Sequence, residues 1–388
     1  MSLHRSEGPG LAILPANIEH QVGLTAPPTP PAGSKTTPRM SPSACLDDGL
    51  DPGRTTPRPS GGTITPPPIR GRASHIPVVV PGYEIGEEIA RGGMGVIYLA
   101  REITLDRAVA IKTILPGSDG PLAARRFLDE ARITARLPHP GIPPVYAIGA
   151  LPDGRPFMAM KLIRGRALSH VLAARDQRLS SHSSEGLELT APCVPGLLQV
   201  FEQIGQAVAF AHAEGVIHRD LKPQNVMLGT FGEVQVLDWG LARDTRAAPG
   251  PRPGSATSSV LLSGAAHPAL TRTGEAMGTP AYMPPEQARG EWDRVDARAD
   301  VFALGGILCT ILTGRPPFTG GAPEDVVRRS MDADLTETFD RLDHCEASAG
   351  LVALAKMCLV PDPAQRPADA GVVLAALYAY RTTVEELW

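Results

Sequence analysis

From Tyr83 to about Ile163 the apolar positions come in short runs bounded by glycine and proline: YEIGEEIA, GVIYLARE and AVAIKTIL, then VYAIGAL and PFMAMKLI. Runs of this length, rich in Val, Ile and Tyr, predict strands. One stretch between them, PLAARRFLDEARITARL, repeats its apolar residues at helical spacing (Phe127, Leu128, Ala131, Ala135, Leu137) and predicts a single helix. From about Ala167 onward the helical period dominates. LLQVFEQIGQAVAFAHA and ADVFALGGILCTILTG carry apolar faces long enough for buried helices. The pattern therefore predicts an α+β protein, with a small twisted sheet and one main helix followed by a larger, mainly helical part. Residues 174–195 and 244–268 break the second part with loop composition and are expected as surface loops.

Composition changes the picture at the N-terminus. Fifteen of the forty prolines lie in residues 1–80, and every Phe, Tyr and Trp lies at or after Tyr83. Proline at that density removes amide donors and fixes φ, so residues 1–80 are expected to form a disordered Pro/Ser/Thr-rich arm, with order beginning near Tyr83. A net charge of -4 with no long block of like charges argues against nucleic acid as a partner. Five dispersed cysteines, with no CxxC pair, fit a reducing compartment without structural zinc. The first twenty residues have no apolar core of a secretion signal, and no apolar run reaches the roughly 20 residues that a bilayer span needs. A cytoplasmic protein without a membrane span is expected.

The candidate chemistry lies in four motifs. Ile89, Ala90, Gly92, Gly93, Met94, Gly95 and Ile97 form a glycine-rich turn between two predicted strands, where backbone amides can approach phosphate without Cβ clashes. Alone, that turn is weak evidence. Lys112 follows in the apolar strand VAIK, where a lone lysine otherwise needs only to snorkel to water. Then come His218-Arg219-Asp220-Leu221-Lys222-Pro223-Gln224-Asn225 and, thirteen residues after Asn225, Asp238-Trp239-Gly240. In this order they resemble the eukaryotic-type protein kinase family, and with GTPAYMPPEQ (278–287) they look closest to bacterial serine/threonine kinases.

The resemblance implies a bilobal fold: an antiparallel-sheet N-lobe over 83–160, a hinge at 161–165, a C-lobe over 166–380 and a tail over 381–388. It implies ATP and magnesium, with manganese a possible substitute, and serine or threonine hydroxyls of proteins as acceptors. Asp220 would orient the acceptor hydroxyl and take its proton, Lys222 would contact the transferring phosphate, and Asn225 and Asp238 would hold the metal. Lys112 would contact the α and β phosphates, held by Glu130. Met160 would gate the adenine pocket, the backbones of Lys161 and Ile163 would pair with the adenine edge, and Ala110 and Met227 would sandwich its faces. Glu286 should pair with Arg366, Asp300 should brace the catalytic loop, and Thr279 should lie by the acceptor. Thr271 and Thr273 are candidate activating phosphosites, because Arg219 offers a guanidinium to a phosphate. A dimer for autophosphorylation is compatible with this.

Three positions depart from the family pattern: Ala90 stands for the first loop glycine, Trp239 for the usual Phe and Pro284 for the Ala of APE. Two competing readings remain at this point. A kinase-like scaffold or binding module would be favoured by loss of Lys112, Asp220 or Asp238, and all three are present. A small-molecule phosphotransferase would not need GTPAYMPPEQ or DPAQRP.

Overall fold

The structure is a computed structural model that describes residues 78–92, 95–115, 117, 120–180, 194–246 and 280–386. Its first part is a five-stranded antiparallel sheet built from β1 (Tyr83–Gly92), β2 (Gly95–Glu102), β3 (Arg107–Thr113), β4 (Val145–Ala150) and β5 (Pro156–Lys161), in the order β1-β2-β3-β5-β4. The sheet is antiparallel throughout, as the resemblance implied. Register decides what each face carries. Lys112 stands opposite Ile97 and Met158, and Ala110 opposite Leu99 and Met160. Opposed residues share a face, so these six side chains lie on one side of the sheet.

Helix α1 (Pro121–Ala135) packs on that side, with Phe127 and Ala131 against Ile114 and Met158. Pro121 starts it where its missing amide costs nothing. The opposite face gathers Ala100, Val109, Ile111, Phe157 and Ala159, and Val78 and Val80 pack on it. Val80 is 2% exposed, and its carbonyl accepts a 3.1 Å bond from the Tyr83 amide. Among the described residues packing thus starts at Val78, ahead of the expected boundary, because Val78 and Val80 supply a cover that the sheet would otherwise lack.

The second part is mainly helical: α2 (Leu168–Ser180), α3 (Val194–Ala213), α4 (Pro285–Ala288), α5 (Ala297–Thr313), α6 (Pro323–Asp332), α7 (Thr336–Asp343), α8 (Ala349–Cys358) and α9 (Ala370–Glu386). Helix α5 is buried from Ala299 to Ile311 and packs against α3, α8 and α9. A helix apolar on all sides belongs at the centre. The Asp296 carboxylate caps its start by accepting from the Arg298 amide, and Gly314, at φ 77°, ends it. Two small sheets carry the chemistry: β6 (Gly165–Ala167), β8 (Val226–Gly229) and β9 (Val234–Val236) in the order β6-β8-β9, and β7 (Val216–Ile217) with β10 (Arg243–Asp244).

Two expectations change here. Residues 174–180 belong to α2 and not to a loop, since ARDQRLS has no breaker and Arg175 reaches the Ile311 carbonyl at 2.6 Å. Helix α9 runs to Glu386, through most of the expected tail, because nothing after Tyr380 interrupts it. The Thr382 and Thr383 hydroxyls bond back to the carbonyls of Tyr378 and Ala379.

Candidate active site

The site forms where the sheet meets the loop between β7 and β8. Lys112, 7% exposed, donates to Glu130 Oε1 of α1 at 2.5 Å and lies 3.7 Å from Asp238 Oδ1. Burial alone would drive the Lys112 ammonium down, but Glu130 and Asp238 hold it above the ordinary lysine range. The expected partner is thus Glu130 and not its neighbour Asp129, which sits on the exposed face near Arg125 and Arg132.

The loop itself is held from below. Asp300, 1% exposed on α5, accepts from the His218 amide at 2.7 Å, the Arg219 amide at 2.8 Å and His212 Nε2 at 2.9 Å. These bonds keep Arg219 at φ 65°, a left-handed conformation that non-glycine residues seldom adopt. Burial would raise the Asp300 carboxyl, but His212 and His218 outweigh it and hold the carboxyl below the usual range. His218 adds two more ties: Nδ1 accepts from the Asp220 amide at 3.2 Å and Nε2 donates to the Leu237 carbonyl at 2.9 Å.

This frame presents Asp220 beside its partners. Lys222 Nζ donates to both Asp220 carboxylate oxygens, at 3.0 and 2.7 Å. Asn225 Nδ2 donates to the Asp220 carbonyl at 2.8 Å and to Oδ2 at 3.1 Å. With its nitrogen engaged, Asn225 has its carboxamide oxygen left for a cation. Asp238 sits at φ 60°, and its Oδ1 is buried with no hydrogen-bond partner. With Lys112 at 3.7 Å but no hydrogen bond, this buried oxygen is incompletely satisfied, and a cation there would complete it. Trp239 follows, 1% exposed, its ring 4.6 Å from the His218 ring and its Nε1 donating to the Val236 carbonyl at 3.2 Å.

Above these groups lies the sheet face already described, with Ile97, Ala110 and Met160; Met227 stands opposite Ala167 in the small sheet below. Ala90 pairs with Ile97, and Ile89 is 45% exposed. A Cβ on Gly92 would meet nothing within 4 Å, whereas one on Gly95 would run into the Thr113 carbonyl of β3. Gly95 is therefore required by strand packing, and Gly92 leaves open space over the cleft. At the expected hinge the Lys161 amide is taken by the Pro144 carbonyl at 3.1 Å, while the Ile163 amide makes no backbone bond among the described residues. Gly93, Met94, Thr271, Thr273 and Thr279 lie outside the described residues.

Farther out, Arg366 and Glu286 form a two-pronged pair at 2.8 and 2.9 Å with both side chains almost fully buried. Burial pushes the Tyr282 hydroxyl up to about 12, and it bonds Thr310 Oγ1 at 3.1 Å. Several contributors escaped the sequence reading. Met158 shares the face of Lys112, which alternation along PFMAMK could have revealed. Gln287 donates to the Arg219 carbonyl at 2.8 Å, and Ser330 of α6 donates to the Met283 carbonyl at 2.8 Å. Neither carries a local signal.

A sheet-capped cleft with a buried lysine–glutamate pair, an aspartate braced from a central helix and a second aspartate whose buried oxygen makes no hydrogen bond defines an enzyme class, and a family model described as the protein kinase domain matches residues 83–378. The chain belongs to the protein kinase family. It is 32% identical over 294 residues to a serine/threonine-protein kinase PknD of Protochlamydia amoebophila, covering 76% of this chain and 29% of that protein. It is 35% identical over 300 residues to PknB of Mycobacterium tuberculosis, covering 76% and 42%. A DNA damage-responsive serine/threonine-protein kinase RqkA of Deinococcus radiodurans is 33% identical over 314 residues, covering 79% and 40%. The chain thus spans less than half the length of these relatives. Among the described residues no helix is long and apolar enough to cross a membrane.

Proposed function

We propose that this chain is an ATP-dependent protein serine/threonine kinase, acting in bacterial signal transduction in the cytoplasm and phosphorylating itself as well as other proteins. The observation that carries this reading is Asp238 Oδ1, buried beside Lys112 without a hydrogen bond and set across from the Asp220, Lys222 and Asn225 group. Asp238 and the Asn225 oxygen would hold magnesium, or manganese in its place. When bound, the ion would neutralise charge on the phosphates.

The chain's own residues account for the rest. Lys112 is kept charged and in place by Glu130 and would hold the α and β phosphates. Asp220 would orient the acceptor hydroxyl and take its proton at a carboxylate oxygen. Lys222, already on that carboxylate, would offer its ammonium to the transferring phosphate. The adenine would lie between Ala110 and Met227, closed at the back by Met160, its edge on the Ile163 amide and the Lys161 carbonyl. The kinase domain would occupy 83–380, preceded by the Pro/Ser/Thr-rich arm.

Regulation would run through Thr271 and Thr273. Burial, with Arg243 nearby, drives the Arg219 guanidinium down to about 10. Neither arginine has a carboxylate within ion-pair distance among the described residues, a setting that suits a phosphate. The test is to incubate wild type and Asp220→Asn with magnesium and γ-labelled ATP. Wild type should label serine or threonine, and the variant should label slower by about 10²- to 10⁴-fold. Equal labelling, or none by either, overturns the reading.

A further inference from the structure

Ion pairs cover most cationic side chains on the described surface: Arg91 with Glu88, Arg101 with Asp106, Arg246 with Glu214, Arg328 with Asp325 and Arg381 with Glu202. Among the described residues Arg126, Arg219, Arg243 and Arg315 depart from this singly, and one short run departs as a cluster. Lys161, Arg164 and Arg166 place three positive charges within six residues, and among the described residues none has a carboxylate within ion-pair distance. Arg164 and Arg166 are exposed, as is His170 just beyond. Solvated charges of one sign repel each other, and here three stand together uncompensated.

Their place is fixed by backbone. The Arg164 carbonyl accepts from the Thr230 amide at 3.1 Å, and Arg166 stands opposite Leu228 in the β6–β8 ladder. A Cβ at Gly165 would collide with the Leu228 carbonyl, so glycine between the two arginines lets β6 lie against β8. Both β6 and α2 pack on the turn Pro223–Asn225, which follows Asp220 directly. Gln224, the exposed member of that turn, is uncharged. The strand that carries the two exposed arginines therefore rims the cleft beside the catalytic turn.

The anion they await is not the nucleotide. On the kinase reading, on which this inference rests, the phosphates lie at Lys112 and Asp238, whereas the hinge end takes a neutral adenine. What passes the rim is the polypeptide that carries the acceptor hydroxyl. We propose that Arg164 and Arg166 select protein substrates with acidic residues flanking the acceptor and turn away basic ones. Attraction and repulsion act together, so the charges set specificity more than stability.

The test uses the full chain and three threonine peptides that differ only in flanking residues: acidic, neutral and basic. For wild type kcat/KM should fall in that order across a span of about ten-fold, and about 0.5 M salt should compress the span. Arg164→Glu with Arg166→Glu should reverse the order. No order in wild type, or the same order in the variant, overturns the inference. If the neutral peptide is phosphorylated and the order is absent, only this inference fails. If no peptide is phosphorylated, the kinase reading fails; binding of a fluorescent acidic peptide that charge reversal leaves unchanged then overturns this inference too.

Discussion

Lys112 can stay charged under the sheet only because Glu130 meets it at 2.5 Å, and the converse holds for Glu130. Removing one partner of a buried pair strands the other, at a cost of about 3–5 kcal/mol. Lys112→Met should therefore lower stability as well as abolish phosphoryl transfer. Adding Glu130→Gln should recover most of the lost stability and none of the activity. Urea unfolding alongside a labelling assay on both variants checks this; a double mutant no more stable than the single one would refute the pairing argument. Asp129 and Glu130 are adjacent and chemically alike, so the expectation of Glu130 rested on the family resemblance, and the phase of α1 against β3 is what puts Glu130 on Lys112 and Asp129 in solvent.

At the scale of elements, helix α5 acts as the post on which the catalytic loop hangs. Asp300 satisfies two loop amides and His212, whose Nδ1 in turn accepts from the Ala370 amide at the start of α9 at 3.2 Å. Asp300→Asn replaces an acceptor oxygen with a donor and should cost about 2–4 kcal/mol, since buried donors lose their partner. The pH dependence has a definite sign. Because its carboxyl is held below the usual range, Asp300 contributes its full stabilisation above about pH 4 and loses it as pH falls through the still lower folded value. The stability gap between wild type and Asp300→Asn should therefore shrink on acidification below about pH 4 and stay constant from there to neutrality. Denaturation curves at matched pH measure it.

Over the whole molecule, what was legible in the sequence is what rests on period and on motif. The strands from Tyr83 to Lys161, α1, α3 and α5 each carry an apolar pattern that their packing uses. The catalytic loop was legible because its residues lie close together in sequence. What escaped depends on partners distant in sequence: Val78 and Val80 look like the end of a polar arm until the outer face of the sheet is seen to need them. Arg175 likewise belongs to a helix that the α5 carbonyls help to fix. A chain shortened to begin at Tyr83 should be less stable than one beginning at Val78 by about 2–3 kcal/mol, from the loss of two valines that cover the sheet, a melting shift of about 5 °C. Equal melting of the two would refute the packing argument.

Trp239 has one more consequence, and it is optical. The chain has three tryptophans, and this one is sealed at 1% exposure between the sheet part and the helical part, its ring 4.6 Å from the His218 imidazole. An indole so placed emits in the blue and is open to quenching by its neighbour, while one released into water emits in the red. A protein that carries this ring next to Asp238 reports the state of that segment by its intrinsic colour, without any dye.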